Sequence, residues 1–166
     1  GEYWGVHNVR DRLDERHLET HHGVPRDQVV VLSNRNRADV GEPADAAPFE
    51  AFLSEVRAGA LVSRADFDER IDLDGYLDYV IAQMYAGNTD WPHNNIQWWR
   101  YKGAPDARRG PFDGRWRWIM FDVDRSFRVR PGGGGEDMVR HLFASEEEPW
   151  ARELIRGIVA VPELRH

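Results

Sequence analysis

Apolar residues recur along this chain with two different periods, and the change from one to the other marks out its elements. Over 72–86, Leu73, Tyr76, Leu77, Val80, Ile81 and Met84 fall at i, i+3, i+4, i+7, i+8 and i+11, which predicts one apolar stripe along a helix that Gly87 ends. Phe49, Phe52, Leu53 and Val56 repeat the three-and-four spacing and predict a second amphipathic helix. Helical character also runs over 11–21, stopped by Gly23-Val24-Pro25, and over 137–144 and 148–160, the last opened by a Ser145 to Glu148 capping-box spacing. Elsewhere the period shortens. Val29-Val30-Val31-Leu32 reads as a buried strand, and the polar stretch 33–45 as a surface loop. Two aromatic-rich segments, 96–102 and 115–121, flank a stretch rich in Gly, Pro and Asp and predict a β-hairpin with a long tip. Gly1-Glu2 reads as a turn leading into a strand from Tyr3 to Val9. The mixture predicts an α+β fold.

Composition narrows the class. At 166 residues, 41% hydrophobic and with 15 Gly and 9 Pro, the chain holds one domain's worth of core material and is neither disordered, collagen-like nor a coiled coil. No run approaches the roughly 20 apolar residues of a membrane span, and the first residues lack the basic and hydrophobic regions of a targeting signal. The net charge of −7 argues against a general nucleic-acid binder. Lys102 is the one lysine among 22 basic residues, so contacts to phosphate fall to arginine. The absence of cysteine excludes disulfides, thiolate zinc sites and cysteine nucleophiles.

Candidate chemistry gathers at one end of the hairpin. The loop after the long helix carries Asp90-Trp91-Pro92-His93-Asn94-Asn95, and the second hairpin strand returns to deliver Asp122 and Asp124. An aspartate, an asparagine five residues on, a hairpin and an acidic exit form the layout of a kinase catalytic and metal-binding loop pair. The aspartate takes or orients the acceptor hydroxyl proton, while amide and carboxylate oxygens supply the hard donors magnesium prefers. Asp122 and Asp124, alternating with Val123, are expected on one face of a strand, a like-charge pair that a cation would relieve; Arg125 or Arg128 would serve equally. Two other readings stand beside these: Asp90 as a turn starter before Trp91-Pro92, and Asn94 as the metal ligand in place of Asn95. His93 reads as a loop residue, and the adjacent His21-His22 lacks the i, i+4 geometry of a zinc pair.

Four ordered blocks carry a family likeness: the opening Gly1-Glu2-Tyr3-Trp4-Gly5-Val6-His7-Asn8-Val9-Arg10, the helix start Asp72-Leu73-Asp74-Gly75-Tyr76-Leu77-Asp78-Tyr79, the loop Asn88-Thr89-Asp90-Trp91-Pro92-His93-Asn94-Asn95, and the strand Trp116-Arg117-Trp118-Ile119-Met120-Phe121-Asp122-Val123-Asp124. Together they resemble the CotH kinase family, named for a spore coat protein. The resemblance implies an atypical protein-kinase-like fold, represented mainly by its large C-terminal lobe, with 1–166 a partial domain that lacks most of the N-terminal lobe and stops short at its C-terminal end. It implies ATP- and Mg²⁺-dependent phosphorylation of Ser and Thr on coat-like or cell-surface proteins, in the bacterial cytoplasm, the spore coat or at the cell surface. It makes Asp90 the catalytic aspartate and Asn95 and Asp122 metal ligands, with Asp124 beside them. It casts Tyr3 and Trp116 or Trp118 as the rings that sandwich adenine. Two other functions fit parts of the pattern, a non-catalytic coat-assembly module on the same fold and a metal-dependent phosphoester hydrolase built on Asp122 and Asp124. Oligomeric state is not legible from the sequence.

Overall fold

In the computed structural model, residues 12–34, 36–108, 110–123, 126–127, 137–144 and 149–164 are described. The apolar run forms β1 (Val29–Ser33), and all of its residues are buried. The reason is its position. It pairs antiparallel with β2 (Arg37–Val40) on one side and β3 (Gln97–Tyr101) on the other, and β4 (Arg117–Ile119) closes the sheet in the order β2-β1-β3-β4. A strand covered on both faces can be apolar throughout.

Six α-helices stand among the described residues: α1 (Glu15–His22), α2 (Ala47–Arg57), α3 (Arg64–Asp68), α4 (Leu73–Ala86), α5 (Met138–Ala144) and α6 (Pro149–Ala160). Alternate side chains of the sheet enter two separate cores. Val30, Leu32, Trp98 and Trp116 face α2, α4 and α6 in the larger core, while Val29, Val31 and Trp99 meet Leu18 of α1 in the smaller. Among the described residues no helix is long and apolar enough to cross a membrane.

The expected α+β class holds, and so do the hairpin and five of the helices. Three readings change. The expected loop 33–45 contains β2, an edge strand of half-exposed and exposed residues whose Arg and Asp hide the apolar signal. The short α3, set by a Ser63–Asp66 capping box, falls in a stretch assigned to no element. The stripe of α4 is also rotated from its expected position. Leu73, Tyr76, Tyr79, Val80, Gln83 and Ala86 are buried, whereas Ile81 is 62% exposed. The expected strand over 3–9 and the Ser145 capping box lie outside the described residues.

At the hairpin's closed end, Asp113 binds the Arg115 Nε at 2.7 Å and Nη1 and Nη2 of Arg117 at 2.9 and 2.7 Å. Burial raises the Asp113 carboxyl, but hydrogen bonds from Arg117 and from the Arg115 side chain and backbone outweigh it and bring the pKa down to about 2. A folded-state value below the ordinary 3.8 means that the carboxylate stabilises the fold above that value and loses its contribution as pH falls toward 2. Asp113→Asn is therefore expected to melt below the wild type at pH 7, with the gap closing between about pH 4 and pH 2. An equal gap at both ends of that window would show that the carboxylate's charge is not the source.

Candidate active site

The site begins where α4 stops. Gly87, at φ 63°, takes the left-handed conformation that closes a helix without a Cβ penalty. Its N–H bonds to Met84 O at 3.0 Å, and the Asn88 N–H bonds to Gln83 O at 3.1 Å, a Schellman closure that turns the chain sharply into the loop. The Asn88 side chain then works in both directions. Its Nδ2 donates to Gln83 Oε1 at 2.8 Å, and its Oδ1 accepts the Asp90 N–H at 3.2 Å. Asn88 and Gln83 are both fully buried.

Asp90 follows, buried but for 9% of its surface. Its Oδ2 accepts from Asn95 Nδ2 at 2.9 Å and from Asn94 Nδ2 at 3.1 Å, while Oδ1 faces His93 Nε2 at 3.7 Å. A carboxylate only accepts, so both amides must present nitrogen to it. The Oδ1 of Asn95 is thereby turned away from Asp90. Asn95 sits at φ 53°, a left-handed conformation that asparagine tolerates better than most residues. The Trp91 ring is 1% exposed and anchors the loop in the larger core. From the far side, His141 of α5 donates Nε2–H to Trp91 O at 2.5 Å.

The hairpin brings the second half of the site back to this loop. Gln97 pairs with Ile119, so Asn94 and Asn95, just before β3, and Asp122, just after β4, leave the sheet at the same end. Beyond Asp122, the Phe127 N–H bonds to Ala86 O at 2.7 Å, which ties the exit segment to the end of α4. Asp122 is exposed, stands at φ 48°, and has no hydrogen bond or ion pair among the described residues. This corrects the strand reading for Asp122. The ladder ends at Ile119 and the positive φ of Asp122 breaks the extended geometry, so period-two alternation does not set where its side chain points. Asp124 and Tyr3 lie outside the described residues.

The two candidate tryptophans part company. Trp116 is 2% exposed, packed edge-on against Phe49 at 5.3 Å with the Arg100 guanidinium 5.0 Å from its centroid. It is a core residue. Trp118, its ring tilted against Tyr76 with centroids 4.3 Å apart, also lines a pocket of about 300 Å³ with Trp99, Met120, His17 and His22. Burial first, then the neighbouring His17, His21 and Arg117, hold the His22 pKa below its ordinary value. Lys102 stands at the other end of β3, its Nζ 2.9 Å from Asp45 Oδ2.

Sequence reasoning overlooked several neighbours of the site. Gln83 and Asn88 were hidden because polar residues at a helix end read as solvated. His141 lies 50 residues from its Trp91 partner, beyond any local pattern. His17 and His21, four apart on α1, do meet, with ring centroids 4.3 Å apart and tilted by 43°, and that spacing is legible in the sequence. Among the described residues, no group of three or more His, Cys, Asp or Glu side chains is placed to hold a metal ion. Asp90, Asn94 and Asn95 are joined by hydrogen bonds, and Asp122 leaves the sheet at the same end.

Comparison with known proteins agrees with the order of these blocks. No curated protein and no solved structure matches the chain. The family model described as CotH kinase protein matches residues 1–166, the whole of the sequence and with it both the Asp90 loop and the Asp122 exit. The chain belongs to the CotH kinase family.

Proposed function

We propose that this domain is the catalytic part of an ATP- and Mg²⁺-dependent protein kinase of atypical kinase-like fold, transferring the γ-phosphoryl group to Ser or Thr hydroxyls of a protein acceptor. One observation carries the reading: the Asp90 carboxylate is held by the amides of Asn94 and Asn95 at 3.1 and 2.9 Å, at the end of the hairpin from which Asp122 emerges. A carboxylate positioned by such donors, with His93 Nε2 3.7 Å from its Oδ1, is placed to orient an incoming hydroxyl and take its proton in this reading.

The donor set fits magnesium. Asn95 Oδ1, turned away from Asp90, and the unpaired Asp122 carboxylate are hard oxygens, and magnesium needs few of them because water and phosphate complete its octahedron. These two residues would hold it, with Asp124 added by family likeness; when bound, the ion offsets the negative charge of the phosphates. Trp118 and the pocket it lines are the adenine wall in this reading, Met120 standing two residues before Asp122. Trp116 supports that wall from the core side, and Tyr3 is the second ring by likeness alone. The acceptors are coat-like or cell-surface proteins, again on the family's pattern.

The full chain, given γ-labelled ATP, Mg²⁺ and Ser- and Thr-containing acceptor peptides, is expected to produce phosphoserine or phosphothreonine. Asn95→Ala is expected to raise the Mg²⁺ concentration needed for half-maximal rate by about tenfold or more. Release of free phosphate without phosphopeptide would instead identify a hydrolase. A folded chain that shows no nucleotide or Mg²⁺ binding by calorimetry would identify a binding module.

A further inference from the structure

Asp90 is held from two directions, and only one of them belongs to the loop that contains Asn94 and Asn95. The other comes from inside the protein. Gln83 occupies the last turn of α4 on the buried face, where the expected apolar stripe would have left it outside. Burying an amide costs free energy unless its hydrogen bonds are made. Gln83 and Asn88 meet each other twice, through the backbone at 3.1 Å and through the side chains at 2.8 Å, which satisfies Gln83 Oε1 while Gln83 Nε2 has no hydrogen-bond partner among the described residues. The Asn88 Oδ1 that remains accepts the Asp90 N–H, and the Asn88 carbonyl accepts the Trp91 N–H at 3.4 Å.

A helix cap needs only the backbone part of this arrangement. Gly87 and the Asn88 N–H already satisfy the orphan carbonyls of Met84 and Gln83, so the side-chain chain from Gln83 Oε1 through Asn88 to Asp90 N is superfluous to ending α4. What it adds is direction. It fixes the peptide that enters Asp90 relative to a rigid helix, so the carboxylate's place is set by α4 as well as by the two loop amides.

We infer that Gln83 and Asn88 are positioning residues for phosphotransfer, acting through Asp90 by way of its backbone N–H. This rests on the kinase reading of Asp90. Neither residue is assigned contact with substrate, and neither supplies a metal ligand. Loss of the link displaces the carboxylate by a fraction of an ångström to an ångström, the scale on which a rate falls by up to about a hundredfold while substrate binding persists.

The test uses the full chain. Asn88→Ala is expected to lower kcat by about tenfold to a hundredfold, with KM for ATP unchanged within about threefold. Asn88→Ser keeps a short oxygen that accepts the N–H two residues on, and it is expected to restore most of kcat. Gln83→Leu, which leaves the buried Asn88 amide without its partner, is expected to lower kcat in the same way. In an Asp90→Ala background, Asn88→Ala should cost no further rate, because residues acting as a unit are not additive. The inference is overturned if Asn88→Ala is as active as the parent, if Asn88→Ser is no better than Asn88→Ala, or if the losses multiply in the double variant. An unfolded Asn88→Ala, seen by its circular dichroism, passes the decision to Asn88→Ser and Gln83→Leu, where wild-type kcat for Gln83→Leu overturns the inference. Failure of the kinase reading looks different. Asp90→Ala would then keep its activity, or no variant would transfer phosphate at all.

Discussion

Asp90→Asn is expected to lower kcat by about a thousandfold, within the range that positioned acid–base groups contribute, while ATP affinity changes by less than about threefold. The substitution is close to isosteric. The amide oxygen of the new side chain still accepts from Asn94 and Asn95, so the loop keeps its shape, and what disappears is the basic carboxylate. Asp90→Ala removes the acceptor as well and frees both neighbouring amides. They lie at the protein surface or partly exposed, where water satisfies them, so the fold suffers little. Rates under saturating Mg²⁺ and ATP, with nucleotide affinity measured separately, distinguish lost chemistry from lost binding. Phosphotransfer by Asp90→Asn at the parent rate would remove Asp90 from the catalytic role and leave it the turn starter that its place before Trp91-Pro92 also permits.

The parts of this fold that could be read from sequence are those in which one face meets one core. Phe49, Phe52, Leu53 and Val56 recur at helical spacing and are all buried in α2, and the unbroken run of β1 matches a strand enclosed on both faces. The parts that could not be read obey a different rule. β2 is an edge strand, so half its residues face water and its pattern looks like a loop. In α4, hydropathy placed Ile81 inside and Gln83 outside, and the fold reverses them. Asn88, five residues later, offsets part of the cost of burying this glutamine by donating to its Oε1, and a pairing between two amides leaves no trace in an apolar count.

The candidate site shows the same division. The residue types and the Asp90 to Asn95 interval pointed to the loop, and the hairpin register placed Asp122 at the same end, since Gln97 opposite Ile119 makes both strands leave the sheet together. Conformation at the exit was beyond sequence reasoning. Alternation predicted an extended Asp122, but its φ of 48° lies in the left-handed region, which Asp populates more readily than most residues and which redirects its side chain. The tryptophans were ambiguous for a simpler reason. Trp116 stands just before β4 and Trp118 within it, two residues apart, yet one is packed against Phe49 of α2 and the other reaches the rim of a pocket. Composition alone cannot separate them.

The largest loss of stability is expected from Phe49→Ala. Phe49 is fully buried, and its ring lies 4.9 Å from Trp98, 5.3 Å from Trp116, 5.4 Å from Trp150, 5.9 Å from Phe52 and 6.3 Å from Trp118. Large indole rings held by the sheet and by α6 cannot collapse into the space an absent phenyl leaves, so the cavity persists and the cost is expected near the top of the usual range, about 4 kcal/mol. For a chain of this length that is a fall in melting temperature of roughly 10 °C. Phe49→Leu retains most of the volume and should cost no more than about 1.5 kcal/mol, which separates the cavity from the loss of ring contacts. The consequence reaches the candidate site, because Trp98 belongs to the strand that follows Asn95 and Trp118 to the strand that precedes Asp122. Loosening their shared support lets the two strands move relative to each other, so Mg²⁺-dependent activity should fall at temperatures well below the melting point of the variant. A Phe49→Ala protein melting within about 2 °C of the parent would mean that the aromatic cluster repacks around the gap, and that the hairpin takes its rigidity from the ladder to β1 instead.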